Sequence, residues 1–219
     1  MTDQHAVIFD LDGTLVDSLR DIADALNETL VEHGRRSASL EQVRQWIGDG
    51  FTQLCRRAWP QADDDTLAEF IPRARTRYQT GCLRHTRPYP NIRRMLELLR
   101  DRGVPMGVVS NKPEALVRLV LEGLSLHAFF TAIRGCTSEE HRKPSPHHAL
   151  AAAATLHAPT AKTFFVGDSP VDVETARRAG MKSIGVTWGF RSREELLAAE
   201  ADFLVNDPLE IVTLVANPA

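Results

Sequence analysis

The sequence predicts an α/β protein: a Rossmann-like, doubly wound parallel sheet that carries an inserted all-helical domain. In the second half of the chain, short apolar runs alternate with segments of helical periodicity, which is typical of parallel strands joined by helices. A lone apolar run, residues 6–9, stands near the start. Residues 18–83 read as helical throughout and are far longer than an ordinary loop. We therefore expect an α/β core of residues 1–17 and 86–219, interrupted by a helical cap of residues 18–85.

The first predicted strand, residues 6–9, leads directly into two aspartates, Asp10 and Asp12. Its uninterrupted apolar sequence is typical of a parallel strand that is covered on both faces. Because neighbouring side chains of an extended backbone alternate in direction, Asp10 and Asp12 can point the same way. Carboxylates this close repel each other unless a metal ion or a shared proton separates them. A polar turn that merely ends the strand is the alternative, since Asp and Gly are common turn residues.

Two capping boxes, Ser18-Leu19-Arg20-Asp21 and Ser39-Leu40-Glu41-Gln42, predict the first two helices of the cap. A longer helix is predicted over residues 63–79, with Pro72 as a kink or a break. Between them, Gly48-Asp49-Gly50 interrupts the helical pattern. Two glycines allow a backbone to approach a ligand closely, so this segment is predicted to be a substrate loop. An ordinary turn between helices is the alternative.

The remaining elements of the core follow from apolar runs bounded by Gly, Pro and Asn. Asn91 is predicted to cap a helix that stops at Gly103, and Pro113 suits the first turn of the next helix. The predicted strands cover residues 104–109, 129–134, 163–166, 183–186 and 203–205, and the later helices cover residues 146–157, 173–179 and 192–199 and begin again at 207.

Composition and charge narrow the class of protein. The chain has 219 residues, of which 43% are hydrophobic and 25% charged, and its formal net charge is −3, so neither nucleic acid nor an anionic membrane is favoured as a partner. No apolar run approaches the ~20 residues that span a bilayer, and residues 1–5 lack a signal peptide's apolar stretch. Three widely spaced cysteines favour reduced thiols. We expect a cytoplasmic protein, as a monomer or a homodimer.

Three later strand ends also carry polar residues: Ser110 with Asn111, then Lys143, then Asp168 with Asp172. In a parallel sheet the carboxyl ends of the strands meet at one edge, where open α/β proteins bind their ligands. Each group has an ordinary explanation, as a helix cap or a solvated lysine. A single site for phosphate and a metal ion accounts for all of them together, and the sequence therefore predicts such a site.

These residues carry a resemblance to a known family. Asp10-Leu11-Asp12-Gly13-Thr14, Ser110, Lys143 and Gly167-Asp168 with Asp172 are similar, in order and spacing, to the four motifs of the haloacid dehalogenase superfamily. The resemblance spans nearly the whole chain, and the segment after Asp17 resembles that superfamily's small helical cap. It implies a Mg²⁺-dependent phosphate monoester hydrolase.

The resemblance also implies a role for each site residue. Asp10 would be the nucleophile that forms an aspartyl-phosphate, and Asp12 would be the general acid and base. Mg²⁺ would take carboxylate oxygens from Asp10 and Asp168 and the main-chain carbonyl of Asp12. Asp172 would hold either a water on the metal or Lys143. The residues implied to bind phosphoryl oxygens are Ser110, Asn111 and Lys143.

Within the superfamily, four stretches resemble the phosphoglycolate phosphatase family, which implies a small phosphorylated metabolite as the substrate. The four stretches are residues 46–50, 108–113, 166–169 and 185–190. Ser110 and Trp188 depart from the Thr and Tyr that are usual in that family. We expect these departures to leave the chemistry intact.

Several alternatives remain at this stage. A sugar phosphomutase or a pyrophosphatase of the same superfamily would share these motifs. Phosphomutase caps usually supply a histidine and a lysine, whereas residues 18–83 contain no lysine and His33 is interpreted as a surface residue. Asp12 disfavours a dehalogenase, and the missing cap lysine disfavours a phosphonate hydrolase. A receiver-like signalling domain or a binding-only relative would be non-enzymatic alternatives.

Overall fold

The computed structural model describes residues 5–216 of the chain. It divides into two compact units. The α/β core comprises the residues up to Val16 and those from Pro88 onward, and the helical unit comprises Asp17–Arg87. The chain passes from one unit to the other at β2 (Val16–Asp17) and returns at β3 (Arg87–Pro88), and these two segments pair as a two-stranded sheet.

The core is built on a six-stranded sheet in the order β5-β4-β1-β6-β7-β8, and every strand pair in it is parallel. All four residues of β1 are fully buried, which explains why the strand is apolar without alternation. The strands are β1 (Ala6–Phe9), β4 (Met106–Ser110), β5 (Ala132–Gly135), β6 (Thr163–Gly167), β7 (Lys182–Val186) and β8 (Phe203–Val205).

Helices connect these strands, which confirms the predicted fold class. They are α5 (Ile92–Asp101), α6 (Glu114–Gly123), α7 (His147–Thr155), α8 (Pro170–Ala179), α9 (Arg193–Ala198) and α10 (Pro208–Ala216), with short 3₁₀ turns at His127–Phe129 and Thr160–Lys162. From β1 the chain builds outward to β4 and β5, then returns to the other side of β1 as β6. The strand order therefore reverses beside β1, and open α/β sheets bind ligands at the carboxyl ends of the strands flanking such a reversal.

The helical unit contains α1 (Leu19–Glu32), α2 (Leu40–Trp46), α3 (Phe51–Ala58) and α4 (Asp64–Gly81). Ser39 forms the predicted capping box with Gln42. Helix α4 continues through Pro72 without a break. We attribute its continuity to the buried residues that flank the proline, among them Phe70 and Ala74. Among the described residues, no helix has both the length and the apolar character needed to span a bilayer.

His33 is not the plain surface residue that the sequence suggested. Its ring is partly buried, and its Nδ1 lies 2.8 Å from the carbonyl oxygen of Thr29 at the end of α1. The ring also packs edge-on against Trp59 and Phe70, with centroid distances of 5.7 and 5.3 Å. Through these contacts, His33 contributes to the packing of the helical unit.

Two predicted helix caps take other partners. Ser18 precedes α1 but makes no side-chain cap, and Asp21 of the expected box instead accepts hydrogen bonds from His85 and Thr86, at the other end of the unit. Asn91 precedes α5 in a left-handed conformation, φ 65°, and its amide donates to Asp207 at 2.8 Å. In both cases a residue distant in sequence offered a better partner than the local backbone.

The Asp21 carboxylate is buried and accepts from three donors. The His85 amide lies 2.9 Å from Oδ1, and the Thr86 amide and hydroxyl lie 2.9 and 2.7 Å from Oδ2. Because α1 is the first helix of the unit and Thr86 directly precedes β3, this carboxylate joins the first helix to the segment through which the chain leaves the unit.

Replacing Asp21 with Asn should destabilise the helical unit by about 1–3 kcal/mol, because an NH₂ group would face backbone donors inside the protein. Urea denaturation measures this free energy of unfolding. Asp24→Asn is the control, since Asp24 lies on the same helix in an exposed ion pair with Arg20 and should cost less than about 0.5 kcal/mol. Equal losses in the two variants would contradict the assigned role of Asp21.

Candidate active site

The first acidic residue follows β1 without interruption. The amide of Asp10 donates to the carbonyl of Val166 at 2.8 Å, which extends the pairing of β1 with β6 by one residue. The chain then turns, and the carbonyl of Leu11 accepts from the amides of Leu15 and Val16 at 2.9 and 3.0 Å. Asp10 is therefore fixed by the sheet, and Asp12 by the turn that follows it.

Lys143 lies between two carboxylates from different strand ends. Its Nζ is 2.9 Å from Oδ1 of Asp10 and 2.7 Å from Oδ1 of Asp172, and all three side chains are buried. The contact to Asp10 is an ion pair outside hydrogen-bond geometry, so Oδ1 of Asp10 has no hydrogen-bond donor among the described residues. Lys143 thus offsets the charge of Asp10 without a directed hydrogen bond to that oxygen.

Asp172 is held on both of its oxygens. Oδ1 accepts from Lys143, while Oδ2 accepts from the amide and hydroxyl of Ser169 at 3.1 and 2.6 Å. Ser169 precedes α8, so Asp172 is part of the capping arrangement of that helix. Asp172 therefore has both expected roles: Oδ2 takes part in the cap of α8, and Oδ1 binds Lys143.

Asp168 sits between two glycines. The amide of Phe190 donates to its Oδ2 at 2.7 Å, and the Thr14 hydroxyl lies 3.5 Å from its Oδ1. A Cβ on Gly13, whose φ is +87°, would come within 2.3 Å of Oδ2, and a Cβ on Gly189 would come within 2.3 Å of the Asp168 Cβ. Both positions therefore require glycine for Asp168 to keep its place.

Burial and crowding shift the pKa values of these groups. Burial, together with the neighbouring Asp172, raises the pKa of Asp10 to about 6 against the opposing effect of Lys143. Burial, with Asp172 and Asp10 adding to it, raises the pKa of Asp168 to about 8. Burial alone would lower the pKa of Lys143, but the carboxylates of Asp10 and Asp172 outweigh it and the pKa is raised. The positive charge of the lysines in the site is therefore too small to offset the negative charge of its carboxylates.

The acidic cluster fits a divalent cation. Asp10, Asp168 and Asp172 each place one oxygen within 4.8 Å of the others. Lys143 contacts two of these three carboxylates, and Oδ1 of Asp10 has no hydrogen-bond donor among the described residues. An all-oxygen donor set suits hard cations such as Mg²⁺. Both oxygens of Asp172 accept short hydrogen bonds, of 2.7 and 2.6 Å, whereas within residues 5–216 Oδ1 of Asp168 has only the Thr14 hydroxyl at 3.5 Å, so Asp10 and Asp168 are the better-placed carboxylate ligands.

Ser110 ends β4, and Asn111 and Lys112 follow it at the same edge of the sheet, since Phe9 of β1 pairs with Val108. The Ser110 hydroxyl is buried and accepts from the Lys112 amide at 3.3 Å. The Asn111 side chain bonds the main chain of Lys143 twice, at 2.8 and 3.3 Å. Asn111 therefore holds the loop that carries Lys143, and any phosphate contact it makes falls to its main chain.

Sequence reasoning gave three of these residues no role. Lys112 forms an ion pair with Asp12, with 2.6 Å between Nζ and Oδ1. The Trp188 indole donates to the carbonyl of Thr14 at 3.0 Å, and the Phe190 amide binds Asp168. Only the lysine left a signal in the sequence, as a cation directly after a predicted strand end. The Phe190 amide and the Thr14 carbonyl are main-chain groups, so no particular residue type marks them in the sequence.

The predicted substrate loop, Gly48-Asp49-Gly50, lies in the helical unit between α2 and α3. Gly48 and Gly50 have positive φ values of 128° and 83°, so the loop needs its glycines. Arg57 forms an ion pair with Asp49 and donates to the carbonyl of Trp46 at 2.8 Å. The loop is thus tied to α3, and its contact with substrate stays a prediction.

Comparison with known proteins agrees with this geometry. The profile of the haloacid dehalogenase-like hydrolase family matches residues 7–186, a range that includes Asp10, Asp12, Ser110, Lys143, Asp168 and Asp172. The chain belongs to this family. The hydrolase is 36% identical to phosphoglycolate phosphatase of Pseudomonas putida over 97% of this chain and 80% of the relative, and 35% identical to that of Aquifex aeolicus over 97% of both chains.

Among solved structures, the hydrolase superposes on a protein from Haemophilus somnus described as a predicted phosphoglycolate phosphatase. The TM-score is 0.91 at 29% identity, and the superposition covers 98% of this chain and 99% of the other. Family and relatives together identify the hydrolase as a phosphatase similar to the phosphoglycolate phosphatases, which confirms the expected enzyme class.

The raised pKa values predict how the stability of the hydrolase depends on pH. Carboxyl groups with an unfolded pKa near 4 and folded values of about 6 and about 8 bind protons more tightly in the folded state. Without metal, the free energy of unfolding should therefore fall as pH rises from about 4 to about 8, by at least ~1 kcal/mol.

Asp168→Asn removes one of these titrations and should flatten the decline, as measured by urea unfolding in chelator across that pH range. Saturating Mg²⁺ should also flatten it in the unmodified protein, because cation binding favours the ionised carboxylates. Identical pH slopes for the two proteins in chelator would contradict the burial-driven shift at Asp168.

Proposed function

We propose that this hydrolase is a Mg²⁺-dependent phosphate monoester hydrolase that works through an aspartyl-phosphate on Asp10. The observation that supports this most is the placement of Asp10. Its Oδ1 lies 2.9 Å from the Lys143 ammonium and lacks a hydrogen-bond donor among the described residues. A carboxylate oxygen next to a fixed cation, which offsets the negative charge of an incoming phosphoryl group, is suited to attack phosphorus.

In the first step Asp10 attacks the phosphorus of the ester, and the alcohol leaves. A carboxyl group with a pKa of about 6 is mostly ionised at neutral pH, so the nucleophile is in the correct form. Lys143 has a raised pKa and stays protonated, so that it offsets repulsion between Asp10 and the incoming phosphoryl group. The covalent intermediate divides one difficult displacement into two easier ones.

Asp12 supplies the proton transfers. It protonates the leaving oxygen in the first step, and in the second it removes a proton from the water that attacks the aspartyl-phosphate. Asp12 lies two residues beyond Asp10 on a turn fixed by backbone hydrogen bonds, which suits a group that must reach the far side of the transferred phosphoryl.

The other residues bind the phosphoryl group and the metal. Ser110, the main chain of Asn111, and Lys143 would bind phosphoryl oxygens. Asp10, Asp168 and the main-chain carbonyl of Asp12 would hold Mg²⁺, and Asp172 would keep Lys143 in place through its 2.7 Å contact. When bound, Mg²⁺ supplies positive charge that offsets the negative charge of the carboxylates and of the phosphoryl oxygens.

For the substrate we propose a small phosphorylated carboxylic acid of the 2-phosphoglycolate type. Relatives named phosphoglycolate phosphatase match nearly the whole of this chain, including the helical unit. The helical unit would act as a cap, and residues 48–50 would be its substrate loop. Structural packing of His33, together with the absence of lysine from residues 18–83, disfavours a phosphomutase.

A screen of phosphate esters tests this assignment. With Mg²⁺, purified protein should release inorganic phosphate from 2-phosphoglycolate with a higher kcat/KM than from hexose phosphates, nucleotides or pyrophosphate. Chelation should stop turnover, and added Mg²⁺ should restore it. Asp10→Asn should fold normally and be inactive on every ester, since an amide is a far poorer nucleophile.

Other outcomes would contradict either the proposed substrate or the proposed mechanism. Fastest turnover of pyrophosphate, or transfer of phosphate between sugar positions without its release, would replace the proposed substrate with one of the alternative functions. Turnover by Asp10→Asn, or turnover that chelator leaves unchanged, would contradict the proposed mechanism itself.

A further inference from the structure

A second lysine, Lys112, faces the proposed proton-transfer residue. Its Nζ lies 2.6 Å from Oδ1 of Asp12, and the side chains are 6% and 14% exposed. The two residues are far apart in sequence, on the segments that follow β4 and β1. The pairing is therefore a product of the fold and not of local sequence.

The burial of this pair separates it from ordinary surface ion pairs. Arg20 and Asp24, for comparison, form a 3.0 Å pair with side chains 60% and 33% exposed. Such exposed pairs hold their partners weakly, since water and salt screen them. A lysine removed from water needs its counter-ion, so Lys112 and Asp12 constrain each other strongly.

The backbone of Lys112 is also fixed. Its amide donates to the Ser110 hydroxyl at 3.3 Å, and its carbonyl accepts from the Cys136 amide, just past β5, at 3.0 Å. Since the backbone is anchored to two neighbouring strand ends, the ammonium has a defined position at the edge of the sheet. The Asp12 carboxylate that binds it takes a defined orientation in turn.

The two lysines of the site contact different carboxylates. Lys143 contacts Asp10 and Asp172, whereas Lys112 contacts Asp12. The group proposed to attack phosphorus and the group proposed to move protons are therefore held by separate cations. Removing one cation should leave the other group in place.

We propose that Lys112 is a positioning residue: it donates to Oδ1 of Asp12, so that Oδ2 carries the proton that Asp12 transfers to the leaving oxygen. This inference rests on the proposed function, in which Asp12 is the general acid. General-acid catalysis matters most when the leaving group is a poor one, such as the alkoxide of 2-phosphoglycolate. A nitrophenolate is stable enough to leave without a proton, so its departure does not depend on the orientation of Asp12.

The test compares these two leaving groups. In Lys112→Met, kcat/KM should fall by at least ~30-fold for 2-phosphoglycolate and change by less than ~3-fold for p-nitrophenyl phosphate, since general acids contribute roughly 10²–10⁴-fold. The ratio kcat/KM reports on steps up to the first irreversible one, which here is departure of the leaving group. Loss of a purely structural contact would lower both values together.

Four further variants complete the design. Lys112→Gln, also uncharged, should show the same difference and replaces the Met variant if that protein fails to fold. Lys162→Met is the matched control, since Lys162 lies before β6 at the opposite edge of the sheet, and neither value should change. Asp12→Asn with Lys112→Met should be no worse than Asp12→Asn alone, because the lysine acts through Asp12.

The outcomes separate the inference from the proposed function. If Asp12→Asn shows the leaving-group difference and neither Lys112 variant does, the positioning role is overturned and the proposed function stands. Equal losses on both substrates in the Lys112 variants would also overturn it. If Asp12→Asn loses both substrates equally, Asp12 is not the general acid and the proposed function itself fails.

Discussion

The crowding of three buried carboxylates around one ammonium group governs the rest of this structure. Asp10, Asp168 and Asp172 lie within 4.8 Å of one another, and Lys143 contacts two of them. Taking these charges out of water is costly, and a single lysine does not offset them. The pKa values of Asp10 and Asp168 rise as a result, to about 6 and about 8. A site with this imbalance favours a divalent cation, and a cation held there in turn favours a phosphoryl group.

The sheet makes such crowding possible because it brings together charged groups from three strand ends. Asp10 continues β1, Lys143 lies on the segment after β5, and Asp168 follows β6. Parallel pairing brings these ends to one edge, beside the reversal of strand order at β1. Contacts within the site then fix each group: Asn111 holds the Lys143 main chain, and Gly13 leaves room for Asp168.

The strands and the order of the charged residues could be predicted from sequence, because both depend on local patterns. Apolar runs identify buried strands, and the acidic motif follows the first of them directly. The partners of individual side chains could not be predicted. Asp21 looked like half of a capping box but accepts from Thr86, and Lys112, which had no role assigned from the sequence, binds Asp12. Asn111 likewise bonds the main chain of Lys143. Each of these contacts joins residues that are distant in sequence, and the fold decides which of several possible partners lies within reach.

In the proposed mechanism, Asp10 carries the phosphoryl group between the two steps. The most direct measurement is the intact mass of Asp12→Asn after mixing with p-nitrophenyl phosphate, whose leaving group needs no proton. The first step should proceed and the second should stall without its base, so the protein should gain the mass of one phosphoryl group, mapped to Asp10. Asp10→Asn in the same background should gain none. Release of nitrophenol without any phosphorylated protein, or a phosphoryl group mapped to another residue, would contradict the account.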